Sequence, residues 1–293
     1  MIELLICTVL WGTSFVAQKL GAAHLGPFAI NCTRSLIAAG FLQGLVVLRD
    51  RRMARRGETP GRWSRADWFG GLLSGLCLAV ALMAQQRGIE LTTPGVSGFL
   101  TSNYMLLVPV FGIFVGSRTS LRVWLGVAMA LVGSYFICFA TADSGGLANL
   151  AAIGGGEAWT LLCAAVFALQ IRVVDRFAGR VDMLHFSMVQ MLVAGGASFP
   201  FVFLPGELAR TNLSSLAGGL PAILYLGLVS SGLGYTLQNL GQAKVSASRA
   251  SVVMGLESVF AALSGWLLLG DVMTLRQIGG CLLVFLATFV ARR

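Results

Sequence analysis

The sequence predicts an all-α integral membrane protein, with ten transmembrane helices arranged as two inverted five-helix repeats. Three observations carry that prediction: a composition too apolar for a soluble surface, ten segments long enough to span a bilayer, and similarity between the two halves of the chain. Of 293 residues, 56% are hydrophobic and only 11% charged, and the mean hydropathy is +0.82. A soluble domain is about 25% charged, so this chain lacks the polar surface to cover one. Ten of its 33 charged residues also crowd into positions 49–67, which leaves long charge-free runs elsewhere. The excess of 21 basic over 12 acidic residues then reads as positive loops flanking membrane spans, not as a nucleic-acid surface.

About 20 mostly apolar residues are needed to cross ~30 Å of hydrocarbon. Ten segments qualify: 2–20, 27–48, 68–87, 93–115, 122–141, 156–174, 183–203, 218–240, 246–269 and 273–291. The first has Glu3 where a signal peptide has basic residues, and many spans follow it, so it reads as a retained helix. The second span leads into 49–67, a long and strongly charged connection. Segments 142–155 and 204–219 are rich in Gly, Ser, Ala and Asn and read as short flexible loops. With the N-terminus cytoplasmic, sixteen Lys and Arg fall on the inner side and four on the outer side (Lys19, Arg87, Arg210, Arg276). That asymmetry predicts both termini inside and an even number of spans. Trp63, Trp68, Trp124 and Trp159 lie near span ends, as an interfacial aromatic belt would place them. The six cysteines all lie in apolar runs without a Cys-x-x-Cys pair, and no His stands at ligand spacing. Disulfides, bound metal and other cofactors are therefore not expected.

The two halves align without a gap over a long stretch. Positions 88–93 match 242–247 and positions 115–126 match 269–280, both at a shift of 154. Near the start of each half the shift is 156, which pairs Trp11 with Phe167 and Arg34 with Gln190. Repeats of five spans each, 1–141 and 156–293, are inverted relative to one another because five is odd. Inverted repeats with a site at their interface are a transporter architecture.

Several motifs resemble a known family. Trp11-Gly-Thr-Ser-Phe-Val-Ala-Gln-Lys, followed by Gly26-Pro27 and Arg34, is similar to the opening of an EamA domain, and Gly88-Ile-Glu-Leu-Thr-Thr with Pro109 to its remainder. Val245-Ser-Ala-Ser-Arg-Ala, Leu256-Glu257-Ser-Val-Phe, Gly265-Trp-Leu-Leu-Leu-Gly-Asp271 and Gln277-Ile-Gly-Gly resemble a second copy. The chain departs from the pattern at Gly116-Ser117, where Gly-Glu is usual, and at Ser258, where Pro is usual. Two EamA domains are the pattern of the drug/metabolite transporter superfamily. The resemblance implies a secondary transporter, with the YddG-like amino-acid exporters as the nearest type. It would export small organic metabolites, aromatic or hydrophobic amino acids first among them, across a bacterial inner membrane by alternating access. A multidrug or other metabolite efflux carrier is the alternative.

Polar side chains at membrane depth are costly, so they face the bundle interior or a water-filled cavity. Trp11, Ser14, Asn103, Tyr104, Gln170, Gln190 and Glu257 fall near the span midplanes. Arg34, Gln85 and Gln86 fall toward the outer side, and Tyr235, Gln238 and Asn239 toward the inner side. In the repeat alignment Glu257 pairs with Asn103 and Asn239 with Gln85, as a central cavity with alternating openings requires. These residues, apart from Asn239, form the candidate substrate-binding set. Arg34 and Glu257 are the ionisable residues placed well inside the membrane. Two roles are open to them: a structural ion pair, or recognition of the carboxylate and amino groups of a zwitterion, with a coupling proton on Glu257 as a variant. His185, at the inner end of its span, is expected in solvent. Gly40/Gly44, Gly71/Gly75 and Gly112/Gly116 are Gly-x-x-x-Gly pairs that permit close helix contact. The sequence has no Walker-type loop, no embedded Ser–His or paired-Asp constellation and no acidic ring. That argues against an ATP-driven pump, an intramembrane enzyme and a channel. The expected partners are a small-molecule substrate and the lipid bilayer, with no nucleic acid.

Overall fold

The computed structural model describes residues 1–91, 94–138, 154–270 and 272–292. Residues 142–153 of the expected 142–155 loop and the motif residues Thr92, Thr93 and Asp271 lie outside them, as does Arg293 of the charge count. The helices are α1 (Ile2–Ala22), α2 (Pro27–Arg55), α3 (Arg65–Leu91), α4 (Pro94–Ser102), α5 (Tyr104–Phe114), α6 (Leu121–Cys138) and α7 (Gly155–Phe177) in the first part of the chain. They continue with α8 (Met183–Ser198), α9 (Pro205–Arg210), α10 (Leu213–Leu224), α11 (Tyr235–Gln242), α12 (Ala247–Met254), α13 (Glu257–Ser264) and α14 (Leu275–Arg292). No strand occurs among the described residues, and nine helical stretches are long and apolar enough to cross a membrane. The tenth predicted span, Leu275–Ala291, is apolar but shorter. The chain is an all-helical membrane protein.

Several span boundaries follow from local chemistry. Pro27 opens α2, and Glu207 of α9 accepts from Phe28 N (3.2 Å) and Ala29 N (3.3 Å), satisfying orphan donors at that helix end. The segment 204–219, expected as a loop, therefore holds a short helix that caps α2. Asp182 caps α8 by accepting from Leu184 N (2.9 Å) and His185 N (3.2 Å).

Close packing explains one of the three Gly-x-x-x-Gly pairs. A Cβ on Gly71 would sit 2.6 Å from Val189 Cβ, and one on Gly75 would sit 2.7 Å from the Gln190 carbonyl oxygen. Those glycines let α3 lie directly against α8. Gly40 and Gly44 face open space, and Gly116 (φ +75°) instead turns the chain after α5. Where α6 crosses α14, Gly126 meets Ala287 and Ala291 while Gly133 meets Gly280 and Val284. At the 154 shift Gly126 corresponds to Gly280 and Gly133 to Ala287, so the two contacts are one contact repeated about a pseudo-two-fold axis.

The 49–67 connection is pinned. Arg49 Nη1 reaches Asp182 Oδ2 (2.6 Å), its Nη2 lies 2.9 Å from His185 Nε2, and Asp182 N donates to Asp67 Oδ1 (2.9 Å). His185 is not in solvent. It is fully buried, stacked 3.9 Å beneath Trp63, with Nδ1 3.6 Å from Asp67 Oδ2. Trp63, expected in the interfacial belt, is the lid that excludes water from the imidazole.

Two predictions follow from this packing. Gly75→Ala forces a Cβ against backbone and should destabilise the detergent-solubilised protein by about 1–3 kcal/mol, whereas Gly40→Ala, in open space within a helix, should leave the melting temperature unchanged or raise it slightly. Burial alone would raise the Asp182 carboxyl, but the His185 and Leu184 N–H groups and the Arg49 guanidinium outweigh it and hold it below its ordinary value of 3.8. A depressed carboxylate contributes stability above its unfolded pKa and loses it as pH falls through the folded one. Asn keeps the cap but loses the partly exposed Arg49 pair, so Asp182→Asn should cost about 0.2–1 kcal/mol at pH 7. Thermal melts should show that difference from wild type shrinking once the pH drops below about 4.

Candidate substrate site

A buried cavity lies where the broken helices meet. Trp11, Ser14, Phe15 and Gln18 enter it from α1, Arg34 from α2, Leu82 and Gln85 from α3. Thr101, Tyr104 and Phe167 come from α4, α5 and α7, and Ser230, Tyr235 and Glu257 complete the lining. The chain is irregular where it supplies these groups. The span holding α4 and α5 breaks at Asn103, whose amide donates back to Phe99 O (3.1 Å) and Leu100 O (3.2 Å). The span holding α12 and α13 breaks just before Glu257, the repeat partner of Asn103. Between α10 and α11 the chain runs as a π-helix, Tyr225–Gly234, a distortion often found at functional sites. That segment delivers Ser230 and Ser231 and presents the Ser230 carbonyl to Trp11 Nε1 at 3.2 Å.

Arg34 is 3% exposed, and its guanidinium donates to Ser231 Oγ from Nε (2.8 Å) and to Ser230 Oγ from Nη2 (3.1 Å). Two neutral hydroxyls hold the charge without neutralising it, and three of the five guanidinium N–H groups remain available. Glu257 is 8% exposed and faces the Tyr104 hydroxyl, which closes no hydrogen bond of good geometry. Among the described residues neither charge forms an ion pair with any group. The structure thus holds a guanidinium and a carboxyl group in one cavity without joining them, and a structural Arg34–Glu257 pair is not what it shows.

Aromatic rings wall the cavity. Trp11 packs on Tyr235 (centroids 4.8 Å) and edge-on to Phe167 (6.1 Å), and Phe167 also meets Tyr104 (5.9 Å) and Tyr235 (6.2 Å). The space enclosed is small, about 20 Å³, room for about one water. A second chamber of about 290 Å³ adjoins it through Phe15 and Glu257 and is otherwise mostly apolar, with Val16, Ile89, Ile137, Ala261 and Ala262 in its walls and Lys19 and Gln277 among its polar groups. Lys19 and Ile89 lie at the ends of α1 and α3 farthest from the 49–67 connection, so this vestibule occupies the far end of the bundle. The end that carries 49–67 is shut by buried amides. Gln238 Nε2 donates to Gln170 Oε1 (3.1 Å) and Gln242 Oε1 (3.0 Å), and Gln170 Nε2 to Ser74 Oγ (3.2 Å). Asn239 Nδ2 donates to Ser187 Oγ and Gln190 Oε1, both at 2.8 Å.

Of the candidate residues, the cavity gathers Trp11, Ser14, Arg34, Gln85, Tyr104, Tyr235 and Glu257. Gln170, Gln190 and Gln238 belong to the amide seal instead, Asn103 bonds its own helix, and Gln86 is buried with its Nε2 unpartnered. Phe15, Gln18, Leu82, Thr101, Phe167 and the two serines that hold Arg34 were not in the predicted set. Phe167 carried a readable signal, since it is the repeat partner of Trp11. Ser and Thr are too common in membrane helices, where they bond their own backbone, to stand out.

Known proteins place this architecture. The model of the EamA-like transporter family matches residues 1–139 and 154–293. An uncharacterized transporter of Archaeoglobus fulgidus is 25% identical over 98% of this chain and 83% of its own. The transporter YoaV of Bacillus subtilis is 21% identical over 100% and 98% of the two chains. A chloroplastic WAT1-related protein of Arabidopsis thaliana is 24% identical over 96% and 66%. A solved crystal structure superposes with a TM-score of 0.78 over 99% of this chain and 95% of that one, at 19% identity, which speaks for the fold. The family model matches both halves of the chain, and the protein belongs to the EamA-like transporter family.

Proposed function

We propose that this membrane transporter is a secondary carrier that exports zwitterionic amino acids, chiefly those with aromatic or hydrophobic side chains, across a bacterial inner membrane. Both termini would face the cytoplasm, as the basic-residue asymmetry requires. One observation carries the reading: among the described residues, the Arg34 guanidinium and the Glu257 carboxyl lie in the same buried cavity without ion partners. An uncompensated charge at membrane depth costs several kcal/mol, so a cavity holding both signs apart favours a ligand that supplies the missing counter-charges. A carboxylate fits the free N–H fork of Arg34. An ammonium fits Glu257, where the neighbouring aromatic faces add cation–π attraction. The adjoining apolar chamber suits a hydrophobic side chain, and its position at one end supports entry and exit by alternating access around the cavity.

Counterflow in proteoliposomes tests this. Labelled L-phenylalanine should be taken up with saturation and be stimulated by unlabelled amino acid on the opposite side. Phenethylamine, which lacks the carboxylate, and 3-phenylpropanoate, which lacks the amine, should each compete at least about tenfold more weakly, because each forfeits a charged hydrogen bond worth about 1.5–3 kcal/mol. Arg34→Gln should erase the penalty for the missing carboxylate and Glu257→Gln the penalty for the missing amine. Phenethylamine competing as well as phenylalanine in the wild type would instead identify a carrier of hydrophobic amines.

A further inference from the structure

Asn239 and the two groups it binds have polar counterparts in the other half of the chain. At the repeat shifts, Asn239 corresponds to Gln85, Ser187 to Asn31 and Gln190 to Arg34. The first trio is joined by the two 2.8 Å hydrogen bonds that tie α11 to α8 and help shut the 49–67 end, with Asn239 Oδ1 and Gln190 Nε2 left buried and unpartnered. The second trio, on α2 and α3, is not joined. Gln85 makes no hydrogen bond among the described residues and faces the cavity. Asn31 donates from Nδ2 to Ser198 Oγ (2.8 Å), but its Oδ1 is buried without a partner. Arg34 rests on Ser230 and Ser231 with N–H groups to spare.

A buried acceptor without a donor is expensive in a membrane protein and calls for an explanation. The repeat provides one. In an inverted-repeat carrier, each half takes up in one state the arrangement that the other half shows in the opposite state. Here the Asn239 trio is closed while the vestibule at the far end stands open, and the Gln85 trio is the one that lies beside that open end. We propose that Gln85, Asn31 and Arg34 form the far-end gate: when the vestibule shuts, Gln85 Nε2 donates to Asn31 Oδ1 and Gln85 Oε1 accepts from the Arg34 guanidinium. Asn239 then releases Ser187 and Gln190, and the 49–67 end opens. In the joined state the orphaned Asn31 oxygen gains its donor, and Arg34 has N–H groups free to serve Gln85. This gate rests on the alternating-access reading above and adds two residues, Asn31 and Asn239, that no substrate contact requires.

A native reporter makes the proposal testable without substrate. Cys138 lines the open vestibule, whereas Cys7 and Cys163 are fully buried. The measurement is the rate of maleimide alkylation of Cys138 in the detergent-solubilised full chain, read peptide by peptide by mass spectrometry. Asn239→Ala weakens the seal that accompanies the open vestibule and should slow Cys138 labelling, by up to about threefold for each interhelical hydrogen bond lost. Adding Gln85→Ala removes the opposing gate and should restore the wild-type rate, as should adding Asn31→Ala. Cys7 and Cys163 remaining unlabelled shows that the variants are folded. If Asn239→Ala exposes them, Gln190→Ala, which removes one of the two bonds, takes its place with the same expected outcomes. An unchanged Cys138 rate in the seal variant, or no restoration by the second substitution, overturns the gate. Labelling shifts of the expected sign alongside failed amino-acid counterflow would leave the gate standing and remove the substrate assignment, and the converse result would do the reverse.

Discussion

Everything in the centre of this protein is arranged around the cost of a charge in hydrocarbon. Arg34 is held in the bundle by two hydroxyls and no anion, and Glu257 lies in the same cavity with no cation. Ionic pairing would be the cheap solution, because attraction at low dielectric repays much of the desolvation cost. The fold forgoes it. Ser230 and Ser231 position the guanidinium, the broken helix ahead of Glu257 positions the carboxylate, and a wall of Trp11, Tyr104, Phe167 and Tyr235 fixes the space between. A site that keeps its charges apart is less stable empty than one that pairs them, and under the proposed function a ligand carrying both signs would recover that deficit.

The irregular backbone follows from the same requirement. Non-helical backbone at membrane depth is tolerated only inside protein or beside a water-filled cavity. The breaks at Asn103 and before Glu257, with the π-helix 225–234, all lie around this cavity. Each leaves the regular ladder where a side chain or a carbonyl must be aimed inward. The regular helices α2, α3, α7 and α8 do the opposite work. Gly71 and Gly75 set α3 against α8, and the His185–Arg49–Asp67–Asp182 cluster, with His185 and Asp67 buried and the other two half-buried, staples the basic connection to the start of α8. That cluster joins helices already packed extensively on one another and so braces one side of the bundle.

Most of the fold was legible because it depends on length and hydropathy, which the chain states directly. The span limits were less so: α2 continues to Arg55, past the end of its apolar run, because helical hydrogen bonding does not stop at the hydrocarbon edge. The repeat was legible from sequence matches and recurs physically in the Gly126–Ala287 and Gly133–Gly280 contacts. In the site, rare residues at depth were readable: Arg34 and Glu257 stand out because few ionisable groups are tolerated there. Gln170, Gln190 and Gln238 were equally visible but joined the seal, since hydropathy sets depth and not the direction in which an amide points. Ser230 and Ser231 were hidden among many serines. His185 was misplaced in solvent because its burial depends on Trp63, more than a hundred positions away in the chain.

The claim that the two charges are kept apart for a ligand can be tested by a thermal-stability double-mutant cycle on Arg34→Gln and Glu257→Gln, run with and without L-phenylalanine. The cycle isolates the coupling between the two side chains from whatever else each substitution does. The account predicts additive effects in the empty protein, with coupling below about 0.5 kcal/mol, and a clear coupling only when the zwitterion is bound. A coupling of several kcal/mol in the empty protein, with the double variant restoring stability lost by either single one, would show a structural ion pair and contradict it.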